Sequence, residues 1–289
     1  MRAAGRSDFT ACACSKLAET HTANNHLSAI LSAAVVVFPI YLMTVTALKP
    51  AGRVVADPLG LPREWHWENI STAWLKGHFA TYFQNSVFVT VSTVSIVLIF
   101  SLLAAYAMAR MSFPGKNVLF TLFLISLALP GDVLLVPLYY ILKDLGLLNT
   151  HWALILPGSA FGLAFAILIL RAFIEQLPKE IMEAAIMDGC SEFQLLVQIV
   201  APLCRPALLS LLILNFMWNW NSFIFPVVLI QKDELRTITA GLNFFQGRWV
   251  SNVPLLMAGT LIIAVPVMVV YIIFQREFVK GITAGAVKS

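Results

Sequence analysis

Two groups of residues in this chain have the types and spacing to do chemistry. The first lies in EAAIMDGCSEFQLLVQIVAP, residues 183 to 202. Glu183 and Asp188 flank a small-residue pair, Ala184 and Ala185, and Gly189 follows at once. Such a set suits docking: alanines allow close approach, and carboxylates meet basic residues on a partner. The second group is Trp218, Asn219, Trp220 and Asn221, with Phe223 just beyond. Rings stack on the C–H faces of a sugar while amides match its hydroxyls. A plainer reading is equally physical, with tryptophan at a membrane interface and asparagine capping a helix break. Asp132 stands apart, a lone carboxylate inside an apolar run. It has three readings: lining a path, capping a broken helix, or lying near an interface.

The elements that position these groups follow from composition. Of 289 residues, 59% are hydrophobic and 12% charged, with a mean hydropathy of +0.83. A soluble domain carries about twice that charge, so the chain reads as an integral membrane protein. The net charge is only +4 and no Lys/Arg block stands out, which gives nucleic-acid binding no support. Cys12, Cys14, Cys190 and Cys204 form no CxxC pair. Their spacing suits neither a disulfide scaffold nor a metal cluster, and unpaired thiols are expected.

Six apolar runs are long enough to cross about 30 Å of hydrocarbon as helices, which takes about 20 residues each. They are continuous and do not alternate, so barrel strands are excluded. The expectation is an all-α membrane protein with six transmembrane helices near 27–48, 84–109, 117–142, 152–171, 206–230 and 253–274. A polar tail (1–26) precedes this 27–275 unit and a second tail (276–289) follows it. The first run leads into LKPAGR rather than a small-residue cleavage site and reads as a retained helix. With an even number of spans both ends share a side. That side holds eleven Lys and Arg and the other eight, together all nineteen, which favours both termini inside. Pro39, Pro130, Pro137, Pro157, Pro226 and Pro266 fall in or at the ends of spans. The carbonyls they free need neighbours or water.

Between the fourth and fifth spans, residues 178–202 break the apolar pattern. Pro178 suits a first helical turn, and Glu180 and Glu183 suit the early helix dipole. Ile181, Ala184 and Ala185 give one narrow face, and Gly189 ends the helix. Phe193, Leu196, Val197 and Val200 then form a second stripe before Pro202. Two short amphipathic helices joined at a glycine result. A mere connector and a docking knob both fit, and spacing alone does not choose.

At these residues the chain resembles a known family. Glu183-Ala184-Ala185, Gly189, Ile199 and Pro202 are similar to the EAA loop of ABC importer permeases. Leu177-Pro178 and Asp188 resemble the carbohydrate-uptake version, in the smaller subunits of the maltose-permease (MalG) type. Asn85-Ser86, Ala104 to Ala107, Leu129-Pro130, Val136 to Tyr139, Leu145 to Thr150, Trp218-Asn219, Arg236-Thr237 and Met257-Ala258 extend the resemblance. So does the tail from Gln275 to Lys288, so that it covers roughly residues 30 to 288. Ala201, Cys190 and Trp220 depart from the usual pattern. The resemblance implies a bacterial inner-membrane permease with both termini cytoplasmic. Its coupling helix docks on an ATP-binding subunit through Glu183, Ala184, Ala185, Asp188 and Gly189. It also implies a second permease subunit, two ATP-binding subunits, a periplasmic or lipid-anchored solute-binding protein and a sugar-like small molecule. The binding protein would touch loops 49–82, 143–151 and 231–250. No GxxxxGK[ST] loop is present, so ATP belongs to the partners and the chain is expected to be a transport subunit without cofactor or metal. A substrate path would draw on Asp132, Trp218, Asn219, Trp220 and Asn221. Two alternatives stay open: an ion-coupled secondary transporter with Asp132 as its carboxylate, and a non-transport scaffold.

Overall fold

The computed structural model describes residues 28–245 and 252–286. The expected tail 1–26 with Cys12 and Cys14, part of the 231–250 loop, and residues 287–289 lie outside the described residues, and with them the placement of the termini. No strand occurs among the described residues. Four helices are long and apolar enough to cross a membrane: α1 (Ser28–Ala47), α3 (Phe79–Arg110), α6 (Trp152–Glu175) and α12 (Val253–Ala286, apolar to Gln275). A short α2 (Glu68–Lys76) links the first two.

The other two expected spans are bent. α4 (Lys116–Ala128) and the segment Gly131–Asp144, which ends in α5 (Leu135–Asp144), meet at 95°. The run 117–142 is therefore not one straight span. Pro130 has no N–H to continue the ladder, so the chain turns there. The run 206–230 is also interrupted. The insert helices α7 (Lys179–Met187) and α8 (Glu192–Leu203) lead at a 75° bend into α9 (Arg205–Trp220). α9 stops at Trp220, and α10 (Ile224–Leu229) starts afresh. The cause is Pro226, which cannot donate to the carbonyl of Ser222. The hydroxyl of Thr239, in α11 (Ile238–Gly241), donates to that carbonyl instead at 2.5 Å. α12 also runs past its expected end, to Ala286.

α6 packs along α3 as the centre of the bundle, and α9 lies against both α3 and α12. Close approach of α6 is possible because of Gly158 and Gly162, a GxxxG pair within GSAFG. A Cβ at Gly158 would meet Asn219 Oδ1 at 2.6 Å and Thr93 Cγ2 at 3.2 Å. One at Gly162 would collide with Asn215 Oδ1 and with Val97 Cγ2 at 2.8 Å. Three helices thus meet at two absent side chains, the packing that lipid, lacking a hydrophobic drive between helices, requires. By contrast α1 leaves Val35, Val36 and Phe38 exposed to its surroundings.

The loops at one end are tied by side chains. Asn85 Nδ2 donates to the carbonyls of Glu234 and Arg236 at 2.8 and 2.9 Å. Ser86 Oγ accepts from Ile238 N at 2.8 Å. Asn149, with φ of 57°, accepts at Oδ1 from the amides of Gln231 and Lys232 at 2.6 and 3.1 Å.

Gly162→Val should destabilise the protein by about 1–3 kcal/mol, the range of core overpacking. A lowered melting temperature in detergent is the expected readout. Gly131→Ala should be neutral there, since its Cβ would meet nothing nearer than 3.7 Å.

Candidate functional site

The bundle positions two sites at opposite ends of α3. Near its start, a cavity of about 630 Å³ opens between α3, α6, α9 and the α4–α5 bend. That volume lies in the range of small-molecule sites, about 300–1,000 Å³. Its wall is mixed. Ser86 and Thr90 come from α3, Phe161 and Phe165 from α6, and Asn215, Trp218 and Asn219 from α9. Among the described residues, the only charged group lining it is Asp132, at the elbow between α4 and α5.

Trp218 is 50% exposed, with its ring edge-on to Phe165 at 5.2 Å. Asn219 Nδ2 donates to the carbonyl of Asn215 at 2.8 Å, while its Oδ1 faces Gly158. Asn215 is 0% exposed and donates to Leu211 O at 2.9 Å. Among the described residues, its Oδ1 has no hydrogen-bond partner. The cavity wall therefore presents the half-buried Asn219 amide and the exposed Trp218 ring, backed by the buried Asn215 one helical turn earlier and by hydroxyls from α3. Such a surface exchanges hydrogen bonds with hydroxyls and packs rings on apolar sugar faces.

Two of the expected path residues are elsewhere. Trp220 is 2% exposed and donates from Nε1 to Ile263 O in α12 at 3.0 Å. Its ring stacks on Phe216 at 5.5 Å. One position past Asn219 on a helix is rotated by about 100°, which turns Trp220 from the cavity into the α9–α12 seam. Asn221 caps α9 and does not line the cavity. Sequence reading missed Asn215, Thr90 and Phe161. The i, i+4 spacing of Asn215 and Asn219 opposite GSAFG was the available signal for the first.

At the far end of α3 lies the insert. Pro178 caps α7 in extended conformation just outside the helix, rather than within its first turn. Gly189 has a φ of 86°, the left-handed conformation that glycine adopts without strain. Gly189 N donates to Ile186 O and Cys190 N to Ala185 O, both at 3.0 Å, a Schellman end. Ser191 then opens α8 with a capping box to Gln194. Glu183, Ala184 and Asp188 are exposed, whereas Ala185 is buried with Met182 against the bundle. The two alanines, about 100° apart on the helix, therefore divide between its exposed side and its seat on the bundle. The second stripe also differs from expectation: Leu195, Leu196 and Val200 are buried, while Phe193 and Val197 are exposed. Residues Leu195–Val200 are π-helical, which shifts the register of the α8 face. Cys190 and Cys204 are free thiols.

Among the described residues, no group of three or more His, Cys, Asp or Glu is placed to hold a metal.

The chain is similar along most of its length to known permeases. It is 39% identical to a probable ABC transporter permease, YurM of Bacillus subtilis, over 88% of this chain and 84% of that protein. It is 33% identical to NgcG, a diacetylchitobiose uptake system permease of Streptomyces coelicolor, over 90% and 87%. Its fold matches a chain of a bacterial ABC transporter that imports the acidic polysaccharide alginate. The TM-score there is 0.78 at 22% identity, over 96% of this chain and 100% of that one. A family described as "Binding-protein-dependent transport system inner membrane component" matches residues 97–283, which takes in the insert and most of the cavity wall. The chain belongs to this family of ABC transporter permeases.

Proposed function

We propose that the chain is the membrane-spanning subunit of an ATP-driven, binding-protein-dependent carbohydrate importer. It forms half of the translocation path and uses the insert to take up force from an ATPase. The observation that carries this reading is the family match over residues 97–283, because it spans both the insert and the cavity wall. NgcG, similar over nearly its whole length, is named for uptake of a disaccharide. The paired amides and aromatic rings of the cavity are suited to the same class of cargo.

In this reading the bent α4–α5 segment counts as one span and α9 continued by α10 as another, giving six. The insert and both termini face the cytoplasm. A second permease completes the path, two ATPase subunits bind and hydrolyse ATP, and a solute-binding protein delivers the cargo to the opposite face. Ala184 and Asp188, exposed on α7 and at its end, and Glu183, exposed where α7 faces the end of α3, meet the ATPase directly. Ala185 and Gly189 act on the shape of the insert: one, buried, seats α7 on the bundle, and the other sets the angle between α7 and α8. An ion-coupled transporter would leave the insert without a role, and a scaffold that docks through the insert would leave the cavity without one.

Glu183→Gln removes one exposed charge and nothing from the core. It should reduce uptake per ATP hydrolysed about tenfold in reconstituted complexes, the scale of one lost charged contact at an interface. Gly189→Ala should have the same direction through strain at the left-handed position. A double variant with normal ATPase recruitment and normal uptake would sink the docking role.

Asp132 is exposed at its elbow. Asp132→Asn should therefore keep ATP-dependent import within about twofold, as for other water-contacting charges. Complete loss of import with normal assembly would instead make Asp132 essential to the path.

A further inference from the structure

The insert is held to the bundle in two ways. One is apolar: Met182, Ala185, Leu195, Leu196 and Val200 pack with Ala105, Ala166 and Leu170 in one buried cluster. Such packing has no fixed direction and does not by itself fix the register of short helices. The other is directional, and it comes from the last turn of α3. The Tyr106 hydroxyl donates to a carboxylate oxygen of Glu192, in the first turn of α8. Arg110, one turn on, donates from Nη2 to the carbonyl of Leu177 at 3.3 Å, just ahead of α7. Tyr106 is 3% exposed, so its bond to the carboxylate is shielded on one side from competing water.

Between these two attachments the insert leaves a gap beside its apolar seat. A cavity of about 380 Å³ separates α7 from the end of α3, with Tyr106, Arg110, Lys179, Glu183 and Glu192 on its wall. A force on the exposed side of α7 has two outcomes. It can close this gap, or it can move the end of α3. Which one follows depends on whether α7 and α8 are fixed to α3 at both edges of the gap.

We propose that Tyr106 and Arg110 are positioning residues that clamp the insert to the end of α3, so that displacement of the insert is carried into that helix. The residues are four apart, on one face of α3. Together they hold the insert at its entry, through Leu177, and at its elbow, through Glu192. The α7–Gly189–α8 unit thereby moves as one body with α3. The proposal rests on the reading of the insert as the ATPase-docking element. The clamp itself is a property of this chain alone.

Two measurements separate the clamp from that reading. Tyr106→Phe keeps the ring and removes only the hydroxyl. Hydrogen exchange on the permease in detergent should show amides of 179–200 exchanging roughly tenfold faster, the scale of one lost hydrogen bond to a charged group. Glu192→Ala should do the same and the double variant no more, whereas Glu192→Gln, which keeps an acceptor, should restore protection. In the assembled importer, Tyr106→Phe should lower substrate moved per ATP hydrolysed while the ATPase still copurifies, with Glu192→Gln near the parent ratio. Unchanged exchange in the Tyr106→Phe and Glu192→Ala variants would overturn the clamp, as would faster exchange with an unchanged transport ratio. A parent permease that binds no ATPase would overturn the docking reading, while the exchange result would still decide the clamp.

Discussion

The close contact of α6 with α3 and α9 at Gly158 and Gly162 is the constraint on which the rest depends. Lipid tails are as apolar as leucine, so helices in a bilayer associate through contact distance and hydrogen bonds. At these glycines contact distance does the work. The space left by two missing side chains is filled by Asn215 and Asn219 from α9 and by Thr93 and Val97 from α3. That arrangement brings amide groups inside the bundle, where they need partners, and Nδ2 of each finds the carbonyl four residues earlier. The polar wall of the cavity is thus a consequence of how α6 packs.

The same constraint governs where the backbone can break. Irregular backbone within a membrane is tolerated only where protein or a water-filled space satisfies its polar groups. The break between α9 and α10 meets that condition: the carbonyl released by Pro226 is taken by Thr239, and Ser222 and Pro226 line the cavity. The elbow at Pro130 lies at the cavity as well, through Leu129, Gly131 and Asp132. Both irregular segments border the same space. α3, which carries no proline and no glycine, stays helical for 32 residues.

What was legible in the sequence follows the range of the interactions. The all-helical class and the positions of the apolar runs were legible because hydrocarbon demands length and apolarity locally. The glycine end of α7 was legible because its chemistry lies within a few residues. The interruption after Trp220 was not, because it depends on Pro226 together with a hydroxyl from Thr239, well beyond the local window. The exposed Phe193 and Val197 were misassigned because the π-helical segment changes the periodicity on which a stripe is counted. Trp220 was misassigned for a related reason. A run of alternating Trp and Asn gives no sign of which members face α12, and that choice is made by tertiary packing. Of the cavity wall, Trp218, Asn219 and Asp132 were found from residue type. Asn215 required knowing that α6 presents glycines opposite it.

The geometry of α3 connects the two ends of the molecule. At about 1.5 Å per residue, its 32 residues form a rod about 48 Å long. Thr93 and Val97, which meet the glycines of α6, lie at its middle. Near one end Asn85 and Ser86 hold the segment 234–238, and Ser86 and Thr90 form part of the cavity wall. At the other end Tyr106 and Arg110 hold the insert. A rod held tightly at its centre and tied at both ends responds to a push at one end by tilting, and the tilt moves the other end the opposite way. Apolar contacts alone, having no fixed direction, would let part of such a push go into a shift of the insert against α3. Side-chain hydrogen bonds at the rod's end do not slide, and that is why the polar attachments, rather than the larger apolar cluster beside them, determine whether motion at the insert reaches the cavity.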